Sequence, residues 1–435
     1  MKINRRAFTG LMGTTLLGLG LAACGSGSGS SEGGANTFVI WDYEGDSSAQ
    51  AIAWNRAVEI FKERHPEVEV KMVEQTFEQL QKNAKIVLTG DDVPDVMEFN
   101  KGNSTSGQLA SQGLIAPLTE YAAKYGWDSS LPASIQTTAR YTEAGLMGDG
   151  DWYGVPNYGE YVFVYYNKDM FEQAGLTVPT TLAEMEAVCD AFVAQGITPL
   201  AEAGAEYPMG QLWYQLVLTQ ADRDFVNAYE LFQGDVDWSA DPVKAGTDRL
   251  VSWISKGYVA ADCAGLTAED AGSSFIAGTY PMFVSGSWWF GRMVADITGF
   301  EWDQFLFPGT RLYLGSSGNL WVVPTNAKNP DLAAEFIDIT LSEEVQAVFA
   351  QHGGLPVLGE PSSIEDAKTR VMTENFQKIL DGDGLAFYPD WPVAGFYDRV
   401  VSAMQSLING SKTGAEAMSD LATAYEEGKA EIVEA

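Results

Sequence analysis

The amino-acid sequence predicts an α/β protein of two lobes, with helices packed on both faces of a parallel sheet. Most of the evidence comes from the first folded segment, in which the spacing of apolar residues alternates between that of a strand and that of a helix. The chain length predicts the second lobe, because about 400 residues remain after removal of an N-terminal leader and a single hydrophobic core rarely supports so many residues. Apolar residues form 46% of the chain, which is ample for folded cores.

The first folded segment is predicted to run strand, helix, strand, helix, strand. Residues 38–41 form a continuous apolar run, as expected for a strand buried on both faces. Four apolar residues then recur at i, i+3, i+4 and i+7, one face of a helix: Trp54, Ala57, Val58 and Phe61. Alternation over 68–72 indicates a strand, 77–88 a polar helix, and 96–99 a short strand. This order is typical of a parallel sheet.

Further elements follow from composition and from helix start signals. Residues 161–166 are rich in Tyr, Val and Phe, which favours a strand. Thr181 and Glu184 form a capping box that opens a helix. Pro330 stands at the first position of another helix, and Ser342 caps the one after it.

Residues 1–23 have the three parts of a secretory signal: a basic start, an apolar core too short for a permanent membrane span, and small residues at the end. The closing Leu-Ala-Ala-Cys resembles the bacterial lipobox, so Cys24 is the predicted lipidation site and 24–36 a flexible linker. The alternative is an ordinary signal peptide with an incidental cysteine. Arg5 and Arg6 resemble a twin-arginine motif, and both export routes stay open. The expected location is the extracellular face of the cytoplasmic membrane, through a lipid anchor.

The chain is strongly acidic, with a formal net charge of −33, and loss of residues 1–23 removes three basic side chains and no acidic one. Electrostatic binding to nucleic acid or to an anionic membrane surface is therefore excluded. No other stretch approaches the ~20 apolar residues of a membrane helix. Cys189 and Cys263 remain in the exported part. They form either one disulfide or two buried thiols, and the sequence leaves both open.

Catalytic and metal-binding motifs are missing from the sequence. It has two histidines, His65 and His352, and no HExxH, paired CxxC, P-loop, GxGxxG or GxSxG pattern. We therefore expect no metal, no cofactor and no enzyme activity. The catalytic alternative is a secreted, lipid-anchored glycoside hydrolase, because that chemistry needs only a pair of carboxylates among the 59 Asp and Glu residues.

Aromatic residues stand beside polar ones where predicted strands give way to loops. Four such loops occur, at residues 41–44, 99–103, 288–289 and 390–392. Ligands of open α/β sheets bind beyond the carboxyl ends of the strands. An indole ring stacks on the C–H face of a sugar, while amide and charged groups hydrogen-bond its hydroxyls. The loops therefore favour a carbohydrate site, whereas Trp54 and Trp253 lie in apolar helix faces and are predicted to be core.

Several segments resemble one known family in their order and spacing. They are residues 61–70 (FKERHPEVEV), 94–96 (PDV), 113–118 (GLIAPL), 152–176, 275–282 (FIAGTYPM) with 286–288, and 328–336. The family is that of the extracellular sugar-binding lipoproteins of bacterial ABC transporters (solute-binding proteins, family 1), which includes maltodextrin-binding proteins. The resemblance covers essentially the whole exported chain.

The resemblance implies a two-lobed, periplasmic-binding-protein-like (class II) fold, with a hinge that the chain crosses three times and a ligand cleft between the lobes. Lobe 1 would comprise 37–155 and 308–352, and lobe 2 would comprise 156–307 and 353–435. The crossings would fall near 155–156, 307–308 and 354–356.

The resemblance also implies which residues line the cleft, and every one of them is aromatic, amide or charged. They are Trp41, Asp42, Glu44, Asn100, Lys101, Tyr158, Glu160, Tyr207, Trp288, Trp289, Asn319 and Trp391. Of the adjacent pair at 288–289, the sequence does not decide which ring faces the ligand. The implied function is capture of a carbohydrate of two to four rings by a monomer, and its delivery to the permease subunits of an ABC importer.

Overall fold

The computed structural model of the chain describes residues 36–45, 48–90, 92–359 and 361–434. The predicted signal peptide and the lipidation site Cys24 lie outside these residues, as does almost all of the linker. The strands of the described part are β1 Asn36–Asp42, β2 Val68–Glu74, β3 Val96–Phe99, β4 Arg140–Tyr141, β5 Asp151–Trp152, β6 Val155–Pro156, β7 Glu160–Asn167, β8 Leu200–Ala201, β9 Met282–Gly286, β10 Trp302–Phe305, β11 Gly315–Ser316 and β12 Leu320–Val322.

Helices connect and cover these strands. They are α1 Ala49–Arg64, α2 Phe77–Leu88, α3 Gln108–Ser111, α4 Thr119–Tyr125, α5 Trp127–Ser130, α6 Ala133–Gln136, α7 Lys168–Ala174, α8 Leu182–Ala194, α9 Tyr207–Leu218, α10 Arg223–Leu231, α11 Val243–Ser255, α12 Ala268–Ile276, α13 Phe290–Asp296, α14 Pro330–Thr340, α15 Glu343–Gln351, α16 Ala367–Asp381, α17 Phe396–Ile408 and α18 Gly414–Val433. Short 3₁₀ turns lie at Ala261–Gly265, Ser287–Trp289 and Pro361–Ser363, and a π-helical turn at Asn103–Gly107.

The first sheet has the strand order β2-β1-β3-β12-β6 and defines the first lobe. The strand–helix–strand–helix–strand order predicted for its N-terminal part is confirmed, because β1 pairs in parallel with both β2 and β3. The capping box at Thr76 starts α2 where the polar helix was predicted. Strands β12 and β6 come from later in the chain, and β12 runs antiparallel to both of its neighbours, β3 and β6.

The second sheet has the order β10-β7-β9-β8, with β11 also pairing β7, and defines the second lobe. Its central strand β7 is the apolar run predicted at 161–166, and all eight of its residues are buried. The strand runs antiparallel to β9, β10 and β11, and only β8 and β9 pair in parallel. The second sheet is therefore mixed, unlike the parallel N-terminal half of the first.

The chain passes between the sheets at three places. It leaves the first sheet between β6 and β7, and it returns between β11 and β12. After α15, which packs on α1 of the first lobe, it crosses again towards α16. There the hydroxyl of Tyr161 on β7 donates to the carbonyl oxygen of Met372 (3.0 Å).

The predicted second crossing at 307–308 is wrong by about ten residues. Gly315 and Ser316 still pair with Tyr161 and Glu160 of the second sheet, so the chain returns only beyond Ser316. The reason is local: β11 has two residues and no apolar period, so nothing in its sequence distinguishes it from a loop.

Aromatic residues fill both cores. Trp54 lies fully buried on α1, edge-on to Trp321 of β12, with its indole N–H donated to a Glu98 carboxylate oxygen (3.2 Å). Trp253 on α11 is equally buried, and both core predictions are confirmed. Cys189 and Cys263 are free and buried, so they are two separate thiols and do not form the disulfide that the sequence also allowed. Within the described ranges, no helix is both long and apolar enough to cross a membrane.

Glu230 on α10 is a fully buried carboxylic acid, and in the described structure neither of its side-chain oxygens has a hydrogen-bond partner. Burial raises its pKa well above the ordinary value, and the nearby Asp390 adds to the shift. The folded state therefore keeps this proton to higher pH than the unfolded chain does. The protein therefore loses stability as the pH rises above the pKa of a glutamate in the unfolded chain, about 4.3. The loss is about 1.4 kcal/mol for each unit by which the folded-state pKa exceeds the unfolded-state pKa.

We expect Glu230→Gln to raise the free energy of unfolding at pH 8 and to raise it less at pH 5, because the amide is neutral at both. Urea unfolding at the two pH values measures this difference. Glu59→Gln makes the same substitution at an exposed side chain and serves as the control. An equal effect of both variants at pH 8 would contradict a buried, protonated Glu230.

Candidate functional site

A cavity of about 210 Å³ lies between the two sheets and is lined from both lobes. Its walls combine aromatic rings with amides and charged groups. The lining residues are Tyr43, Glu44, Phe77, Asn100, Lys101, Tyr158, Glu160, Tyr207, Gln211, Trp288, Asn319, Tyr388, Asp390, Trp391 and Tyr397. Such a mixture of apolar walls and a few directed polar groups is typical of small-molecule sites.

Nine of the predicted cleft residues line this cavity. They are Glu44, Asn100, Lys101, Tyr158, Glu160, Tyr207, Trp288, Asn319 and Trp391. Two others lie close by without lining it: Trp41 is partly buried within β1, and Asp42 is buried at the end of that strand. Asp42 still acts on the cavity, since its charge raises the pKa of Glu44.

The two adjacent tryptophans, both in a 3₁₀ turn, differ in their surroundings. Trp288 faces the cavity, and its indole N–H donates to the hydroxyl of Tyr207 (3.2 Å). Trp289 is only 5% exposed, packs edge-on to Phe283 and lies under the guanidinium of Arg292. The structure therefore puts Trp289 in the core of the second lobe, which contradicts its predicted place in the cleft.

Six lining residues were missed from the sequence. Tyr43 and Asp390 lie within the loops 41–44 and 390–392, and Tyr388 lies two residues before the second loop. The criterion of mixed aromatic and polar loops would have found all three had it been applied to whole loops. The other three lie on helices and carry no loop signal: Phe77, Gln211 and Tyr397.

Three helices begin at the cavity and supply aromatic side chains from their first turns. Phe77 is the first residue of α2, Tyr207 the first of α9, and Tyr397 the second of α17. The hydroxyl of Tyr397, from the second lobe, donates to a carboxylate oxygen of Glu78 in the first (2.6 Å). The backbone N–H of Ser104 donates to the carbonyl oxygen of Trp391 (2.9 Å). These contacts hold the lobes together at the cavity rim.

An ion pair joins the lobes at the cavity wall. The ammonium of Lys101, 2% exposed, lies 2.8 Å from Glu160 Oε1 and also donates to Asn319 Oδ1 (3.2 Å). Ser316 donates to the same carboxylate oxygen (2.7 Å), and the amide of Asn319 donates to the hydroxyl of Tyr158 (2.7 Å). Burial lowers the pKa of Lys101, and the charge of Glu160 opposes that shift.

Two further carboxylates face the cavity. Burial raises the pKa of Glu44 to about 8, with help from Asp42 and Glu160 and against the effect of Lys101. Burial also raises the pKa of Asp390 to about 6. At neutral pH Glu44 is therefore mostly protonated and can donate a hydrogen bond, while Asp390 mostly accepts.

Gly102 brings the loop after β3 against the ring of Trp391. Its φ of 102° lies in the left-handed region, and a Cβ atom there would stand 2.5 Å from the Cβ of Trp391. We expect Gly102→Ala to displace Trp391 and to lower ligand affinity about tenfold, because overpacking of this kind costs about 1–3 kcal/mol. Titration calorimetry and thermal unfolding measure the two effects.

Gly113→Ala is the matched control, since Gly113 also has a positive φ (65°) but no neighbour within 4 Å. It should lose stability and keep affinity. If both alanine variants bind like the parent protein, the packing of Gly102 against Trp391 does not shape the site.

The chain has two α/β lobes, joined by hydrogen bonds and an ion pair around an aromatic and polar cavity. This arrangement is typical of binding proteins that hold a small solute between two lobes. The chain belongs to the family of bacterial extracellular solute-binding proteins, whose profile matches residues 56–370. Members of this family are binding proteins, so the chain is a binding protein and not an enzyme, and the glycoside hydrolase alternative has no support. The predicted family is confirmed.

Individual relatives agree with this assignment. The chain is 27% identical over 335 residues to a probable sugar-binding periplasmic protein of Mesorhizobium japonicum, covering 74% of this chain and 77% of that one. It is 26% identical over 376 residues to the diacetylchitobiose binding protein DasA of Streptomyces coelicolor, covering 81% of each. A solved chitin oligosaccharide binding protein superposes with a TM-score of 0.77 at 20% identity, over 91% of this chain and all of that one. The predicted fold class is thereby confirmed.

Proposed function

We propose that this protein binds a carbohydrate in the cavity between its lobes and delivers it to the permease of an ABC importer. One observation carries the proposal: aromatic rings from both lobes face a cavity whose other walls are amides and charged groups. Trp288 and Trp391 offer faces for a sugar ring, and Lys101, Asn100 and Asn319 offer hydrogen bonds to its hydroxyls. The names of the relatives, which refer to sugars, support the same ligand class.

The cavity volume bears on the length of the ligand. About 210 Å³ is below the ~300–1,000 Å³ of sites that enclose drug-sized molecules. We therefore infer that one ring is enclosed and that the further rings of a ligand of two to four extend towards the cleft opening.

Binding is coupled to closure of the lobes in this proposal. Tyr397–Glu78 and Lys101–Glu160 join the two lobes around the cavity. A ligand that contacts both lobes binds the closed form better, and it shifts the population by that difference in affinity. The closed form is the one that docks on the permease. A lipid on Cys24 would keep a monomeric receptor near its importer at the outer face of the cytoplasmic membrane.

Titration calorimetry of the purified protein with a panel of neutral and amino-substituted glycans tests the proposal, with product analysis of each mixture. We expect binding of at least one glycan class and no change in the sugar. Absence of binding across the panel, or turnover of a glycan, would overturn the proposed function.

A further inference from the structure

We propose that the sugar bound here carries a protonated amine, and that its ammonium group faces the carboxylates of Glu44 and Asp390. This inference rests on the proposed function and narrows the ligand to an amino sugar. The chemistry is that of an organic cation held among aromatic rings and carboxylates.

The charged groups in the cavity wall favour a cationic ligand. Its lining includes three carboxylates, those of Glu44, Glu160 and Asp390, and one cation, Lys101. That cation is already paired with Glu160 at 2.8 Å. Glu44 and Asp390, from opposite lobes, face the cavity without an ion pair among the described residues. A ligand ammonium group would pair with the ionised carboxylate of Asp390 and would favour ionisation of the Glu44 carboxyl group.

The aromatic residues in the cavity wall favour the same kind of ligand. Eight of the lining residues are Tyr, Trp or Phe. The electron-rich faces of such rings attract ammonium groups, and this attraction grows when the site excludes water. The same rings stack on the C–H face of a sugar, so one set of walls serves both parts of an amino sugar.

Gln211 gives independent support for a ligand that donates hydrogen bonds. It lines the cavity at only 7% exposure, and its side-chain oxygen is buried and lacks a hydrogen-bond partner within the described structure. A buried acceptor in this state favours a ligand with N–H or O–H groups to donate.

A metal ion is a poorer occupant of the same negative site. Across the described part of the chain, no group of His, Cys, Asp and Glu is arranged to hold one. The two carboxyl groups therefore favour an organic cation over a metal ion.

Proton release distinguishes an amine from a neutral sugar. Glu44 is mostly protonated at neutral pH before a ligand binds. When an ammonium group pairs with it, the carboxyl ionises, its proton leaves to the buffer, and the amine keeps its own. Several titratable and charged groups interact with Glu44 and Asp390 and set the pH range of the proton release. They are Asp42, Tyr43, Glu78, Glu98, Lys101, Tyr158, Glu160, Tyr229, Glu230, Tyr388 and Tyr397.

Three disaccharides with the same β-1,4-linked glucose skeleton test the inference by calorimetry at pH 7: chitobiose with free amines, N,N′-diacetylchitobiose and cellobiose. We expect chitobiose to bind at least about tenfold tighter than either neutral sugar, since charge-assisted hydrogen bonds and cation–π contacts add to its binding. Its apparent enthalpy should vary with the ionisation enthalpy of the buffer, which reports the released proton.

Glu44→Gln should remove the proton release, and Glu44→Gln with Asp390→Asn should remove the preference for the amine. Asp235→Asn, which neutralises a fully exposed acid, should change neither. Equal or tighter binding of the neutral sugars would overturn the amine inference and leave the proposed function standing. Absence of binding by all three, and by the wider panel, would overturn both.

Discussion

Lys101→Met should lower the free energy of unfolding by about 3–5 kcal/mol, because it leaves the carboxylate of Glu160 buried without its cation. The loss is large since both side chains are almost inaccessible, at 2% and 6% exposure. Asn319 would also lose the donor to its amide oxygen. Urea unfolding monitored by tryptophan fluorescence measures the change.

The double variant Lys101→Met/Glu160→Gln is the matched control. Removal of both charges leaves no buried ion, so it should be more stable than Lys101→Met alone. If Lys101→Met unfolds at the same urea concentration as the parent protein, the ion pair does not join the lobes as described.

Trp288→Ala and Trp289→Ala should have opposite consequences although the residues are neighbours. Trp288 faces the cavity, so its loss should weaken sugar binding by about 2 kcal/mol, or about thirtyfold. Trp289 fills the core against Phe283, so its loss should lower stability by about 3–5 kcal/mol.

Calorimetric affinity and the free energy of unfolding, measured on both variants, separate the two roles. Each variant is the control for the other, because the deleted atoms are the same. A stable Trp289→Ala protein that no longer binds sugar, beside an unaffected Trp288→Ala, would reverse the assignment.

Local patterns explain why much of the fold was predictable. The strands β1 to β3 and the helices α1 and α2 each carry their own period and caps, so the first sheet could be inferred in order. Strand β11 could not, because its two residues have no period and pair with β7 more than 150 residues earlier. The antiparallel pairing of β7 is likewise a consequence of long-range contacts that composition does not encode.

The site was predictable where loops mix aromatic and polar residues, and less so elsewhere. Lys101 and Glu160 were both named as cleft residues, but their pairing joins positions 59 residues apart and depends on how the lobes meet. Trp288 and Trp289 are identical in type and adjacent in sequence, and only the turn geometry separates them. Phe77 and Tyr397 reach the cavity because two helices from different lobes begin there, which no single segment reveals.

A crystal structure of the protein with the tightest-binding glycan of the panel would show directly where the sugar binds. We expect a sugar ring enclosed between the lobes, in contact with Trp288 and Trp391 and within hydrogen-bond distance of Lys101 or Asn319. A glycan bound on the outer surface of one lobe, with the cavity between the sheets empty, would contradict it.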